Sequence, residues 1–208
     1  MSIRKDKAAR LKIQILENTL KLIGRKSFAD LFVDEICARV KISKVTLFKY
    51  FPKKEDLLLY YHRLWCLART VELHDKKKEG LQGIYFLFDR ISEEFEQYPG
   101  MLLGLIGYLT DSRRPPKPYP VKREEKKLLY PNVQDVQALE ILSVSQMLER
   151  FTLEAIMKRE ITRSSSTADI THSLITMLYG SIVVSHTNQQ PARPFFRRNL
   201  ESVLRGLV

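Results

Sequence analysis

Residues 33–57 read VDEICARVKISKVTLFKYFPKKEDL, and this stretch decides how the chain is understood. Val33, Ile36, Cys37 and Val40 recur at spacings of three, one and three and share one helical face. Asp34 and Glu35 fall in the first turn of that helix, where negative charge favours the positive end of the helix dipole. After a turn at Lys41 and Ile42, the Ser43 hydroxyl is placed to accept from an orphan amide, so a second short helix starts at Lys44. Leu47 and Phe51 anchor one side of it as i,i+4 neighbours, which leaves Lys44, Val45, Thr46, Phe48 and Lys49 projecting outward. Pro52 stops the helix, because the residue before proline is biased away from the helical region. Two short helices around a tight turn, the second with an exposed first turn carrying lysines, a hydroxyl and a short apolar side chain, suit the width and chemistry of the DNA major groove.

This stretch resembles the N-terminal domain of the tetracycline-repressor (TetR) family of one-component transcriptional regulators. The resemblance is carried by Val33-Asp34-Glu35-Ile36, Ala38, Ser43-Lys44, Thr46-Leu47-Phe48, Tyr50-Phe51 and Lys54-Glu55-Asp56-Leu57. It implies that Lys44, Val45, Thr46 and Phe48 face base edges or nearby sugar-phosphate, with Tyr50 and Lys54 on phosphates. Lys41 departs from the family's usual glycine at the turn, and a lysine is less at ease than glycine in a left-handed conformation. Phe48 replaces the usual tyrosine and cannot donate a hydrogen bond, which favours contact with a thymine methyl. Phe32 stands where a threonine cap is common, so the first helix of the pair lacks a side-chain cap.

Charge gives independent support. Residues 1–54 hold 14 Lys and Arg against 5 Asp and Glu, while residues 55–208 hold 21 against 19, so nearly all of the formal +11 lies in the first quarter. A basic unit attached to a near-neutral one is the footprint of phosphate binding, with affinity that falls as salt rises. Arg4, Lys5, Lys7, Arg10 and Lys12 could form a flexible arm or solvate the start of a first helix, whose apolar stripe is Ala8, Leu11, Ile15, Thr19, Leu22 and Ile23, with Gly24 as its stop. The alternative function is that of a basic helical protein that binds nucleic acid or acidic partners without reading sequence.

The remainder keeps helical periods, and the expected class is all-α: a three-helix helix-turn-helix head over residues 1–53, then a helical ligand-binding and dimerisation domain over 54–208. Lys53 to Asp75 reads as one helix, Leu81 to Gln97 as another, and Pro99 opens a third. Arg113 to Pro120 is a proline-rich loop. A weak helix is expected over Val121 to Leu129, followed by long patterns over Asn132 to Ile161, Thr167 to His186 and Pro194 to Leu207. The serines at 164–166 read as a turn.

Two faces near the end of the chain hint at self-association. Phe196, Leu200, Val203, Leu204 and Leu207 make an apolar stripe, and Gly180, Ser181, Val184 and Ser185 a small-residue face. Both could instead close the chain's own core. The resemblance implies a homodimer packing these two helices against their symmetry mates, with two reading heads on a palindromic operator. It also implies a small-molecule effector, for which Trp65, Tyr85, Phe88, Met101, Leu105, Tyr108, Met147, Phe151, Met157 and Tyr179 are the search area, each of them equally a residue type that fills ordinary cores. Asp89 and Glu149 are possible polar handles.

Cys37 and Cys66 have no metal-ligand partner nearby in sequence, and Cys37 falls on the buried face of its helix. His62, His74, His172 and His186 show no metal-binding spacing. There is no phosphate-cradling glycine loop and no nucleophile elbow, so neither cofactor, metal nor enzymatic activity is expected. With no signal-like N-terminus and no apolar run of membrane-spanning length, the expected setting is cytoplasmic.

Overall fold

The computed structural model describes residues 3–75, 77–111, 113, 119–162 and 166–206. Every regular element among them is helical. The helices are α1 (Ile3–Ile23), α2 (Val33–Val40), α3 (Lys44–Tyr50), α4 (Asp56–Asp75), α5 (Gly80–Gln97), α6 (Pro99–Leu109), α7 (Arg123–Leu129), α8 (Val144–Met157), α9 (Thr167–Thr187) and α10 (Ala192–Leu204), with a 3₁₀ turn at Phe28–Asp30. None of the described helices is long and apolar enough to cross a membrane.

Two compact units emerge, one formed by Met1–Glu72 and Gly100–Ile141, the other by Leu73–Pro99 and Leu142–Val208. The expected head, residues 1–53, lies wholly inside the first unit, which also recruits α6, α7 and most of α4.

In the first unit, α1 is helical from Ile3, so the described N-terminal residues form no arm. The helix ends where Gly24 takes φ +47°, a conformation glycine adopts without a Cβ clash. Ile15, Ile23, Ile36, Leu47, Phe51, Leu57 and Leu58 are buried from α1 through α4, each side chain contributing about 1.5–3 kcal/mol of transfer free energy. The start of α6 abuts this head: a Cβ on Gly100 would overlap the Lys26 carbonyl, and one on Gly104 would crowd Phe28.

In the second unit, α5 packs on α8 and α10, with α9 completing the bundle. Gly83 lets the Phe151 ring lie directly on α5, and Phe95 stacks on Phe196 with ring centroids 6.3 Å apart. The first amides of α5 are satisfied from α8 and beyond: Gly80 N–H donates to Glu154 Oε2 at 3.1 Å and Leu81 N–H to Glu160 Oε2 at 2.8 Å.

The long helix expected over Asn132 to Ile161 is a correction. Residues 131–138 form turns, 139–143 have no regular structure, and α8 starts only at Val144. Ser143 Oγ accepts from Gln146 N–H at 3.2 Å while Gln146 Oε1 accepts from Ser143 N–H at 2.8 Å, a reciprocal cap that defines a helix start. Upstream, the Lys126 ammonium takes the Leu139 carbonyl at 2.6 Å, and Asp135 sits at φ +53°, so this backbone is committed elsewhere. At the far end Arg159 turns left-handed at φ +60° and closes α8.

Most residues of the expected dimer faces are already occupied inside the chain. Ser181, Ser185, Phe196, Leu200 and Leu204 are buried within the chain's own second unit; Ser185 Oγ donates to the Gln190 carbonyl at 2.9 Å and Asn199 Nδ2 donates to Ser181 Oγ at 3.1 Å. Val203 is half-buried, Val184 is exposed, and Leu207 lies outside the described residues. An apolar stripe records that a face is covered; here α10 is covered by α5 and α9 of the same chain.

Candidate nucleic-acid interface

The reading pair is built as its residues dictate. Ile36, Cys37 and Val40 of α2 and Leu47 of α3 point inward, and Phe51, just past α3, is fully buried. Phe32, preceding α2, supplies no side-chain cap, but its N–H donates to Glu35 Oε2 at 3.0 Å. Lys41 adopts φ 61°, ψ 48°, and its turn is closed by Ile42 N–H donating to the Cys37 carbonyl at 3.0 Å. The left-handed lysine costs about 1–2 kcal/mol relative to glycine. Ser43 caps α3 through its Oγ, which accepts from Thr46 N–H at 3.1 Å and lies 3.0 Å from Thr46 Oγ1.

What α3 leaves outside is mainly apolar and basic. Val45 is 81 % exposed and Phe48 39 % exposed, with Lys44 and Lys49 exposed beside them and Thr46 and Tyr50 half-buried. Phe32, 66 % exposed at the foot of α2, joins this apolar set; its missing cap was visible in the sequence, its exposure was not. The Lys44 ammonium is 2.7 Å from Asp34 Oδ1, with both side chains in solvent, and that hydrogen bond, then the carboxylate's charge, raises its pKa. Exposed pairs of this kind hold weakly, so Lys44 can exchange its carboxylate for a phosphate.

Lys54 is a correction. Its ammonium donates to the carbonyls of Phe28 at 2.9 Å, Ala29 at 3.2 Å and Leu31 at 2.8 Å, and it lies 4.8 Å from the Phe28 ring centroid. An ammonium has three donors, and all three serve the turn between α1 and α2. It staples the head together in place of holding a phosphate.

A buried polar cluster that sequence reasoning missed lies in the same unit. Lys12 Nζ is 2.6 Å from Glu125 Oε1, with Glu125 fully buried. Tyr60 OH donates to that same oxygen at 2.7 Å, and Lys122 N–H donates to Oε2 at 2.6 Å. The ammonium sits 4.2 Å from the Tyr60 ring centroid and 5.0 Å from that of Tyr119. Tyr119 OH donates to the Tyr50 carbonyl at 2.6 Å. Burial, more than its neighbours' charges, pushes the Tyr119 hydroxyl up to about 12 and Tyr60 further still, so both remain donors. Desolvation lowers the Lys12 pKa against the opposing pull of Glu125. One signal was available: Lys12 lies three residues before Ile15 and so on the buried face of α1.

The effector search residues separate. Trp65, Met101, Leu105 and Tyr108 belong to the first unit; Phe88, Met147, Phe151 and Tyr179 belong to the second. Phe88, Met147 and Phe151 are buried in the α5–α8 packing. Tyr179 is 41 % exposed on α9. Tyr85 and Asp89 are half-buried, and Met157 and Glu149 are exposed. No group of three or more His, Cys, Asp or Glu among the described residues could hold a metal ion.

Residues 15–61 match the family model of bacterial regulatory proteins, tetR family. No curated protein matches the chain. Among solved structures, FadR from Bacillus subtilis in complex with stearoyl-CoA is 14 % identical, with 95 % of this chain and 100 % of that one covered at a TM-score of 0.62. FadR from Thermus thermophilus, a transcriptional repressor in complex with lauroyl-CoA, is 17 % identical over 94 % of each chain at a TM-score of 0.60. CprB from S. coelicolor A3(2) is 18 % identical, with 97 % of this chain and 90 % of that one covered at a TM-score of 0.57. At these identities the likeness is one of fold.

Proposed function

We infer that this chain, which belongs to the tetR family of bacterial regulatory proteins, binds operator DNA as a homodimer and changes its grip when a small molecule binds. The observation that carries this reading is the outward face of α3. Val45 and Phe48 stand exposed on a helix anchored by the fully buried Leu47, a costly arrangement in water with a use in the major groove. Val45 and Phe48 are assigned to apolar contacts such as thymine methyls. Thr46 is assigned to a base edge or sugar, and Lys44, Lys49 and Tyr50 to phosphates or the bases beside them. The head covers residues 1–53, and residues 54–208 carry effector binding and dimerisation.

Dimerisation is assigned to the face of α9 that this chain leaves open. Thr176, Tyr179, Gly180, Val183, Val184 and Thr187 recur at helical spacing and are all exposed, whereas the α10 stripe is already in use. A twofold pair would present two α3 helices to a palindromic operator. The effector proposed has an apolar body, in keeping with the aromatic and methionine side chains at Phe88, Met147 and Phe151 and with the acyl-CoA molecules bound by two proteins of this fold. Such a molecule releases DNA only if it binds the DNA-incompetent state better, and a few kcal/mol of preference suffices.

Selection of bound duplexes from a random-sequence pool tests the reading, with Lys44→Ala and Thr46→Ala variants beside the unaltered chain. An enriched palindrome that the variants fail to enrich is the expected result. Salt-sensitive retention without enrichment would overturn it and leave a basic protein that does not read sequence.

A further inference from the structure

We propose that Tyr119 and Glu125, outside the helix-turn-helix, are positioning residues that clamp the end of α3 to α1 and so set the pose in which the reading helix meets DNA; this rests on the DNA-reading function proposed above. Tyr50 is the last residue of α3, and its carbonyl accepts the Tyr119 hydroxyl at 2.6 Å. The next residue, Phe51, donates its N–H to the Leu47 carbonyl at 2.9 Å and stacks its ring on Tyr119, centroids 5.9 Å apart at 24°. Tyr119 therefore holds both residues that end the helix, one through the backbone and one through the ring.

Glu125 ties this hold to α1. One carboxylate oxygen takes both the Lys12 ammonium and the Tyr60 hydroxyl, and the other takes the Lys122 amide. Tyr60 in turn meets Phe51 at 5.4 Å and Tyr119 edge-on at 5.5 Å. Each of these groups has one partner geometry, whereas an all-apolar contact would tolerate several. A buried ion pair adds little net stability over a well-packed apolar replacement. Its effect lies in direction: Lys12 cannot leave Glu125 without burying an unpaired charge, so α1, α4, the end of α3 and the start of α7 keep one mutual arrangement.

The clamp also takes Lys12 out of the set of cations that could meet phosphate. That consequence separates the clamp from an ordinary basic contact. A lysine on phosphate contributes about one unit to the slope of log K against log salt, and a caged one contributes none.

The test uses the full chain with Tyr119→Phe, Glu125→Gln and Lys12→Met, each checked for helical content. Tyr119→Phe keeps the rings and removes one hydroxyl, so it guards against a Glu125 variant that fails to fold. Two quantities are read: hydrogen exchange of the amides of residues 47–51 in the free protein, and the ratio of Kd for random duplex to Kd for the selected duplex. Tyr119→Phe is expected to speed that exchange, and to lower the ratio, by about five- to tenfold, the effect of losing one hydrogen bond to a carbonyl. Lys12→Met should lower the ratio while the salt slope stays unchanged. Unchanged exchange or an unchanged ratio in folded Tyr119→Phe overturns the clamp, as does a salt slope reduced by about one in Lys12→Met. If the unaltered chain selects no duplex, the operator reading fails by itself, and the exchange measurement still decides whether Tyr119 holds α3.

Discussion

Replacing Lys54 by methionine separates two roles that one lysine cannot fill together. Its ammonium meets three carbonyls at 2.8–3.2 Å, and hydrogen bonds from charged donors contribute about 1.5–3 kcal/mol each where they are well desolvated. Lys54 is only half-buried, and three bonds from one ammonium do not add, so a loss of about 2–3 kcal/mol is expected. Methionine keeps an unbranched apolar side chain and removes the donors, leaving the three carbonyls to compete for water. For a chain of this size each kcal/mol shifts the melting temperature by about 2–4 °C, giving a fall of roughly 5–10 °C. Thermal unfolding followed by circular dichroism measures it, and duplex binding across a salt series gives the companion slope. The staple predicts a lower melting temperature and an unchanged slope. An unchanged melting temperature with the slope reduced by about one would refute the reasoning and restore Lys54 as a phosphate ligand.

Gly100→Ala gains up to about 1 kcal/mol of helix propensity but forces a Cβ into the Lys26 carbonyl, an overpacking cost of about 1–3 kcal/mol or more; it should destabilise, while Gly107→Ala on the same helix, where a Cβ meets open space, should stabilise, and calorimetry of the pair checks the sign of each. Burial, aided by the charge of Arg63, lowers the His62 pKa to about 4, so between about pH 6.5 and 4 the unfolded chain binds a proton the folded chain refuses and stability falls as pH drops. By pH 5 this amounts to about 2 kcal/mol, or about 1 after allowance for partial exposure. His62→Gln should therefore lose less melting temperature than the unaltered chain between pH 7.5 and 5, and equal losses would count against the buried neutral imidazole. Val183→Lys, on the open face of α9, should convert a dimer to a monomer in sedimentation without loss of helical content, and a persisting dimer would move the interface elsewhere.

The reading pair was legible because its signals are local. Ser43 caps α3, Pro52 follows it, and Lys41 occupies the turn, each acting within three or four residues. The stop of α1 at Gly24 was legible for the same reason. The Ser143–Gln146 cap was equally local, but the apolar period running through residues 132–142 concealed it. What could not be read was partnership across the chain. Lys12 and Lys54 look like other lysines of a basic head until Glu125 and the carbonyls of residues 28–31 fold against them. Phe196, Leu200 and Leu204 gave a correct apolar stripe, but periodicity records burial without recording what provides it, and here the chain's own helices do. Phe32 and Val45 were missed or understated for the converse reason: a large apolar side chain left in water breaks the rule by which helix faces are inferred.

These reassignments change how the head must bind. Its excess of positive charge does not translate into phosphate contacts one for one, because Lys12 and Lys54 are committed inside the unit and Lys44 begins paired with Asp34. On the outer face of α3 the least charged side chains, Val45 and Phe48, are also prominent. Attraction to any duplex, carried by the remaining surface lysines and arginines, must weaken with salt. Discrimination between duplexes, assigned above to apolar contacts and to Thr46, would involve few counterions and have no comparable dependence. On the proposed reading the head divides its work: surface charge brings DNA in, and the apolar positions on the α3 face, set between Lys44 and Lys49, decide which sequence stays. That division requires α3 to be held in one pose, so under the proposed clamp lysines committed inside the unit matter to recognition as much as those on its surface.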